Sequence, residues 1–238
     1  MIDLHSHILP GVDDGAGNIN ESIDAIKWLV RQGMTDIVAT PHYIYETDYN
    51  SPINANHKLL EELKSRLDAE GIDVNLYLGN EIFYTENIEE LIKAGELTSL
   101  AGSRYLLIEL SLNEETMRCE WYFRELIDKG YKVVLAHPER YALFQEDYDA
   151  LLVLYEMGVL FQSNIRSFIG KYGPGAEHLV KKMAKKKMIY LLASDTHRAG
   201  PRNSLIEGLK KASRYYNERE LRLLTTINPQ LILDDGKK

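Results

Sequence analysis

The chain has 238 residues, enough for one large α/β domain or two small ones, with 45% hydrophobic and 27% charged residues, the ordinary balance of a globular protein. Its net charge of −8 argues against a broad nucleic-acid interface, which needs a basic face. No apolar run reaches the roughly 20 residues of a membrane span, and chemically suggestive residues begin at His5, which leaves no room for a signal peptide and makes the cytoplasm the expected location.

Along the chain, short β-branched runs alternate with amphipathic stretches. Strands are predicted at residues 2–4, 36–39, 74–78, 105–110, 132–136, 159–162 and 189–193. Helices are predicted at 22–32, 56–70, 87–94, 115–129, 148–157 and 176–187, then as a pair at 204–216 and 218–225. Gly33, Gly71, Gly95, Gly130 and Gly158 fall just past helix ends, where a left-handed cap is wanted. A repeated β-α unit implies parallel strands with right-handed crossovers. Seven such strands without a linker favour one barrel-like α/β domain over residues 1–238, with an open doubly wound sheet as the alternative. No P-loop or dinucleotide fingerprint follows any strand. The tail from Asp234 is expected to fray.

In barrels of this kind the chemistry collects where strands end. The first predicted strand leads into His5 and His7, two residues apart and so facing one side of an extended segment. The second ends in Thr40-Pro41-His42, the third runs to Glu81, and the fourth carries Glu109. The fifth ends in His137-Pro138-Glu139-Arg140 and the seventh in Ser194-Asp195-Thr196-His197, while Asp13 and Asp14 follow the first. Five of the seven histidines therefore sit at one rim. Crowded imidazoles repel when protonated and crowded carboxylates repel when ionised, unless cations lie between them. A multinuclear metal site resolves both conflicts, and a nitrogen–oxygen ligand set without thiolate suits manganese, iron or zinc better than magnesium.

Cys119 is the lone cysteine, so no internal disulfide forms. Its spacing to Arg124 is one residue short of a cysteine-phosphatase loop, and the bulky residues between could not cradle an anion, so it is expected to be a packing thiol. The lysines at 181, 182, 185, 186 and 187 read as the solvated end of a helix.

The strings Asp3-Leu4-His5-Ser6-His7, Thr40-Pro41-His42, Asn80-Glu81, Ala136-His137-Pro138-Glu139-Arg140 and Ala193-Ser194-Asp195-Thr196-His197 resemble the polymerase-and-histidinol-phosphatase (PHP) superfamily over essentially the whole chain. Residues 7–15, 33–42 and 136–141 make it most similar to bacterial manganese-dependent protein-tyrosine phosphatases of capsular and exopolysaccharide operons. The resemblance implies a distorted (β/α)7, TIM-like barrel holding two or three divalent ions, with manganese expected and iron or zinc as substitutes. It gives one ion to His5, His7 and Asp195, bridged by Glu81 to a second on His42 and His137, and a third to Glu109, His197 and Asp14.

The implied reaction is hydrolysis of phosphotyrosine by a metal-activated hydroxide, with no cysteine nucleophile and no phospho-enzyme. Arg140 and Arg202, in the loops after His137 and His197, are expected to grip the phosphate through their planar forks. An ion pair from Arg140 to Glu139 or a neighbouring acid is the structural alternative. His42 or the third ion would help the phenolate leave. Thr40 and Ser194 are expected to hydrogen-bond behind the ligands. Tyr43, Tyr45 and Tyr49 form either a rim for an aromatic substrate or a solvated lid.

The implied partner is the tyrosine-rich tail of an autophosphorylating bacterial tyrosine kinase, with no nucleic acid and no membrane insertion. The resemblance also raises a homo-oligomer built through the early helices. The stretch 21–32 carries no pattern diagnostic of one, and that point stays open. Competing readings are a small-molecule phosphomonoesterase such as a histidinol phosphatase, a metal-dependent nuclease, and a metal-binding scaffold without turnover.

Overall fold

Strand and helix alternate as the patterning predicts, in a computed structural model that describes residues 1–111 and 119–237. The order is β1 (Ile2–Asp3), α1 (Ile19–Arg31), β2 (Asp36–Ala39), β3 (His42–Tyr43), α2 (Ile53–Ala69), β4 (Asn75–Leu78), β5 (Glu81–Phe83), α3 (Ile88–Ala94), β6 (Tyr105–Glu109) and α4 (Cys119–Asp128). There follow β7 (Lys132–Ala136), α5 (Ala142–Glu146), α6 (Tyr148–Glu156), β8 (Leu160–Asn164), α7 (Gly173–Lys185), β9 (Ile189–Ala193), α8 (Ser204–Ala212) and α9 (Glu218–Arg222). A π-helical turn at Leu223–Ile227 leads into α10 (Asn228–Asp235). The start of the helix predicted at 115–129 lies outside the described residues.

Two predicted strands, 36–39 and 74–78, are each followed after a two-residue break by a short strand that was not predicted. β2 resumes as β3 after Thr40-Pro41, where proline has no N–H to give the ladder. β4 resumes as β5 after Gly79-Asn80, and a Cβ on Gly79 would sit 3.2 Å from both Val38 and Leu100. The breaks divide the strands into a three-stranded sheet, β1-β2-β4, and a six-stranded sheet, β3-β5-β6-β7-β8-β9, and every pairing is parallel. Backbone bonds from Asp195 to His5 (3.0 Å) and from His7 to Thr196 (2.8 Å) set the segment after β1 beside the segment after β9.

Period-2 alternation decides which side chains reach the middle. Tyr105 and Leu107 of β6 join Leu4, Val38, Val134 and Leu191 in one apolar cluster, while Leu106 and Ile108 pack with the helices. Full burial of each such leucine stabilises by about 1.5–3 kcal/mol. The same alternation puts Glu109 on the face of Leu107, and Gln162 and Asn164 on the face opposite Phe161. Ile232 and Leu233 of α10 join the inner cluster. That helix was not anticipated; Pro229 at its first turn suits a helix start. Nor is Asp235 frayed, because it accepts from the backbone and guanidinium of Arg104 at 2.9–3.2 Å.

Helix α1 is capped by the Asn18 side chain and buries Ile23, Ile26 and Leu29. Its Trp28 indole donates to the Pro201 carbonyl at 3.1 Å, and Gln32 donates to that of Arg202, so α1 ties down the loop after His197. Gly33, beyond α1, and Gly95, beyond α3, take the predicted left-handed conformation, at φ 95° and 71°. No helix among the described residues is long and apolar enough to cross a membrane.

Candidate metal centre

The polar residues that end the strands converge on one point. Nδ1 of His5 meets Gln162 Oε1 at 2.9 Å and Nδ1 of His7 meets Asp13 Oδ2 at 2.8 Å, so the Nε2 atoms of both rings turn inward. These two atoms are 3.2 Å apart, lie 3.1 and 3.2 Å from Glu81 Oε2, and stand 3.7 and 3.6 Å from Asp195 Oδ1. Around the other side of Glu81, His137 Nε2 is 3.0 Å from its Oε1 and His42 Nδ1 is 3.1 Å from its Oε2. Glu109 lies 3.5 Å from His137 Nε2 and 3.6 Å from His42 Nδ1. At the solvent edge, Asp14 Oδ1 lies 3.3 Å from His197 Nε2 and 3.5 Å from His42 Nε2.

All nine residues expected as ligands thus meet in one cluster, but several sit in other company than expected; His7, expected only with His5 and Asp195, is also grouped with Asp14 and His197. Glu109, expected beside Asp14 and His197, is grouped with Glu81 and His42. His42, expected only in the second group, also belongs with His7, Asp14 and His197. Both its nitrogens face carboxylates, which fits a ligand.

The donor set fits cations. Glu81 Oε2 is buried with no properly directed hydrogen bond, although three imidazole nitrogens surround it at 3.1–3.2 Å. His42 Nδ1 is likewise buried without a hydrogen-bond partner. Lone pairs that crowd a buried carboxylate without donors are stable only around positive charge. Three sets of ligand atoms are close enough to share an ion: His5, His7 and Glu81; His42, Glu81 and Glu109; and His7, Asp14, His42 and His197.

Protons supply that charge when no metal does. Burial opposes the charged form of His5, but Glu81 and Asp195 outweigh it and raise the imidazole to about 9. His7 is also raised, against its burial, by Asp13 and Glu81. Burial and the neighbouring Glu81 push Glu109 up to about 8, whereas burial lowers His137 to about 4 despite its contact with Glu81.

Asp195 is tightly constrained. Its backbone takes φ 49°, a left-handed conformation that costs a non-glycine residue on the order of 1–3 kcal/mol. Buried partners hold it there: Arg166 donates to the Ser194 and Asp195 carbonyls at 3.2 and 3.1 Å, and Asp3 accepts from the Ser194 N–H at 2.9 Å and from its hydroxyl at 2.5 Å. With Oδ1 facing the cluster, Oδ2 accepts from Asn164 (2.7 Å), Arg140 (3.0 Å) and Tyr172 (3.3 Å).

Arg140 therefore pairs with Asp195 rather than Glu139, whose Oε1 accepts from Ser167 and the Asn164 N–H at 2.6 and 2.8 Å. Arg202 lines a cavity of about 590 Å³ with Trp28, Arg31 and Gly200, on the loop that carries His197. Thr40 accepts from the Ser6 N–H at 3.0 Å, behind the His-x-His pair. Of the rim tyrosines, Tyr49 stacks on His42 with centroids 6.1 Å apart, while Tyr43 is buried and donates to Glu96 at 3.0 Å. Cys119 is buried outside the cluster, and burial pushes its thiol up to about 12.

Gln162, Asn164, Arg166 and Tyr172 were not anticipated. The one sequence signal for the first two was polar residues at period 2 where an apolar strand ends.

The chain matches the family described as "Capsular polysaccharide synthesis, CpsB/CapC" over residues 1–234. It is 37% identical over 223 residues to the putative tyrosine-protein phosphatase CapC of Staphylococcus aureus, covering 92% of this chain and 87% of that protein. It is 34% identical over 234 residues to the tyrosine-protein phosphatase YwqE of Bacillus subtilis, covering 98% and 91%. A crystal structure from a study of YwqE and Streptococcus pneumoniae CpsB, described as metal-dependent tyrosine phosphatases, superposes with a TM-score of 0.92 at 33% identity over 99% of this chain and 95% of that one. A β-aspartyl dipeptidase of Fervidobacterium islandicum shares the fold alone, with a TM-score of 0.62 at 14% identity over 98% of this chain and 72% of that one.

Proposed function

This chain belongs to the CpsB/CapC family of capsular polysaccharide synthesis, and on that footing we propose that it is a metal-dependent protein-tyrosine phosphatase. The observation that carries the reading is Glu81: a buried carboxylate with one oxygen 3.1–3.2 Å from nitrogens of His5, His7 and His42 and the other 3.0 Å from His137. Residues 1–238 form one metallophosphatase domain whose strands close a distorted (β/α)7 barrel. The Ser6–Thr196 bridge between the first and last strand ends supports that closure.

His5, His7, Glu81 and Asp195 would hold one ion; His42, Glu81, Glu109 and His137 a second; Asp14, His42 and His197 a third. Manganese is the expected metal, and the mixed nitrogen–oxygen set also admits iron or zinc. Such ions supply acidified water and a clamp on phosphoryl oxygens. The protein's own part is positioning. Glu81 joins two of the ion positions, and Asp195 is locked with one oxygen inward. Arg140 is three-quarters buried beside it, its guanidinium 4.9 Å from the Tyr172 ring centre, and would offer the rest of its planar fork to the substrate phosphate. Tyr49 stacks on His42 and Tyr172 donates to Asp195, so an aromatic leaving group at the cluster would lie near both rings. Phenolate leaves readily because tyrosine ionises near pH 10, so no dedicated proton donor is required.

The substrate is a phosphoprotein, in our reading the tyrosine-rich tail of a bacterial tyrosine kinase whose activity regulates capsule or exopolysaccharide synthesis in the cytoplasm. The capsule-synthesis family and the phosphatase relatives support this. The test is phosphate release from a phosphotyrosine peptide, with histidinol phosphate and single-stranded DNA in parallel. Chelator-sensitive release from the peptide is expected. Preference for histidinol phosphate would move the chain to small-molecule chemistry, and cleavage of DNA alone would make it a nuclease.

A further inference from the structure

Strand β8 supplies none of the candidate ligands, yet it ends in two buried amides, Gln162 and Asn164, that point at the cluster. Their orientation follows from what their neighbours can do. The His137 backbone N–H can only donate, so the amide atom it meets at 3.2 Å is the oxygen of Gln162. That same oxygen meets His5 Nδ1 at 2.9 Å, and since it cannot donate, the ring proton sits on Nδ1. His5 Nε2 is left to face Glu81 and Asp195. The far end of Gln162 then donates to Asn164 Oδ1 at 2.8 Å, which commits the Asn164 amide N–H to Asp195 Oδ2 at 2.7 Å. Every bond in the chain runs one way, and it ends on a carboxylate that can only accept. Turning either amide over would set donor against donor or acceptor against acceptor at both of its ends.

We infer that Gln162 and Asn164 are positioning residues of the metal centre: they fix His5 as the Nδ1–H tautomer and aim the free oxygen of Asp195 at the same point. The inference rests on the reading that His5 and Asp195 share an ion. His7 receives the same service from a carboxylate, Asp13. A neutral amide does it for His5, where Glu81 and Asp195 already contribute negative charge.

The test compares Gln162→Leu with Gln162→Glu in the full-length protein. Zinc(II) is the diamagnetic probe, its affinity read by chelator competition and the His5 ring protons by nitrogen-15 correlation spectra. Leucine removes the acceptor, whereas Gln162→Glu keeps it and, with a proton on its second oxygen, keeps the donor to Asn164. Gln162→Leu should bind zinc about 10- to 100-fold more weakly and lose the hydrogen-bonded Nδ1 proton, while Gln162→Glu stays within about threefold of wild type. A role in packing alone would reverse that order, since a buried apolar residue is then the milder change, and that result would overturn the inference. If Gln162→Leu fails to fold, the zinc-loaded wild type decides: a proton on His5 Nδ1 supports the assignment and one on Nε2 overturns it. Wild type that binds no zinc would instead remove the metal centre itself, and this inference with it.

Discussion

Arg140 donates from Nη1 to Asp195 Oδ2 at 3.0 Å, so the residue proposed to grip phosphate also supports a carboxylate of the candidate metal centre. The two roles separate experimentally. Arg140→Ala should weaken manganese binding about tenfold by freeing Asp195. It should also lower kcat/KM on a phosphotyrosine peptide by about 10²- to 10³-fold through lost charge stabilisation. Saturating manganese corrects the first deficit and not the second. Complete recovery at saturating metal would confine Arg140 to holding Asp195.

Metal uptake should release protons. In the metal-free protein His5 holds its proton up to about pH 9, and Glu109 to about pH 8. Both values are raised, so at neutral pH a cation must displace protons, and apparent affinity should climb as pH rises from about 6 toward 9. Each proton displaced steepens that climb by about tenfold per pH unit. Calorimetric heats of zinc(II) binding in two buffers of different ionisation enthalpy measure the release. Identical heats would contradict the crowded, protonated state assigned to the metal-free site.

Gly15 is where the loop carrying Asp13 and Asp14 passes closest to the His-x-His segment. A Cβ there would stand 2.2 Å from the His7 carbonyl oxygen and 2.6 Å from the His7 Cβ. Gly15→Ala should therefore displace the loop, destabilise the fold by about 1–3 kcal/mol, and weaken the ion position built on Asp14 and His197. Thermal unfolding with and without manganese reads both effects, and an unchanged transition in both states would show that the loop yields freely.

Cys119→Ala should leave kcat unaltered, because the thiol is buried away from the cluster and held protonated, at about 12. Loss of turnover in a folded variant would point to thiol chemistry.

Much of this was legible in the chain because the ligand candidates are of a few residue types and sit at predictable places. His5, His7, His42, Glu81, Glu109, His137, Asp195 and His197 each follow or end an apolar run, which is where parallel β-α units deliver side chains. How the candidates group with one another was not legible. Glu109 sits beside His42 because β5 pairs with both β3 and β6, a register that no local pattern encodes. The breaks after β2 and β4 were missed because the resumed pieces are two and three residues long, too short to show a period. Gln162 and Asn164 read as an ordinary polar strand end. Their importance comes from the His137 N–H and the Asp195 carboxylate, 25 and 31 residues away.

The most direct measurement is phosphate release from a phosphotyrosine peptide as metal-stripped protein is titrated with manganese, for wild type, His5→Ala and His137→Ala. Bound metal and circular dichroism are recorded on the same samples. The account predicts no turnover in stripped wild type, recovery that follows bound manganese, and folded but inactive histidine variants. Undiminished turnover by the stripped protein, or by either variant, would contradict it.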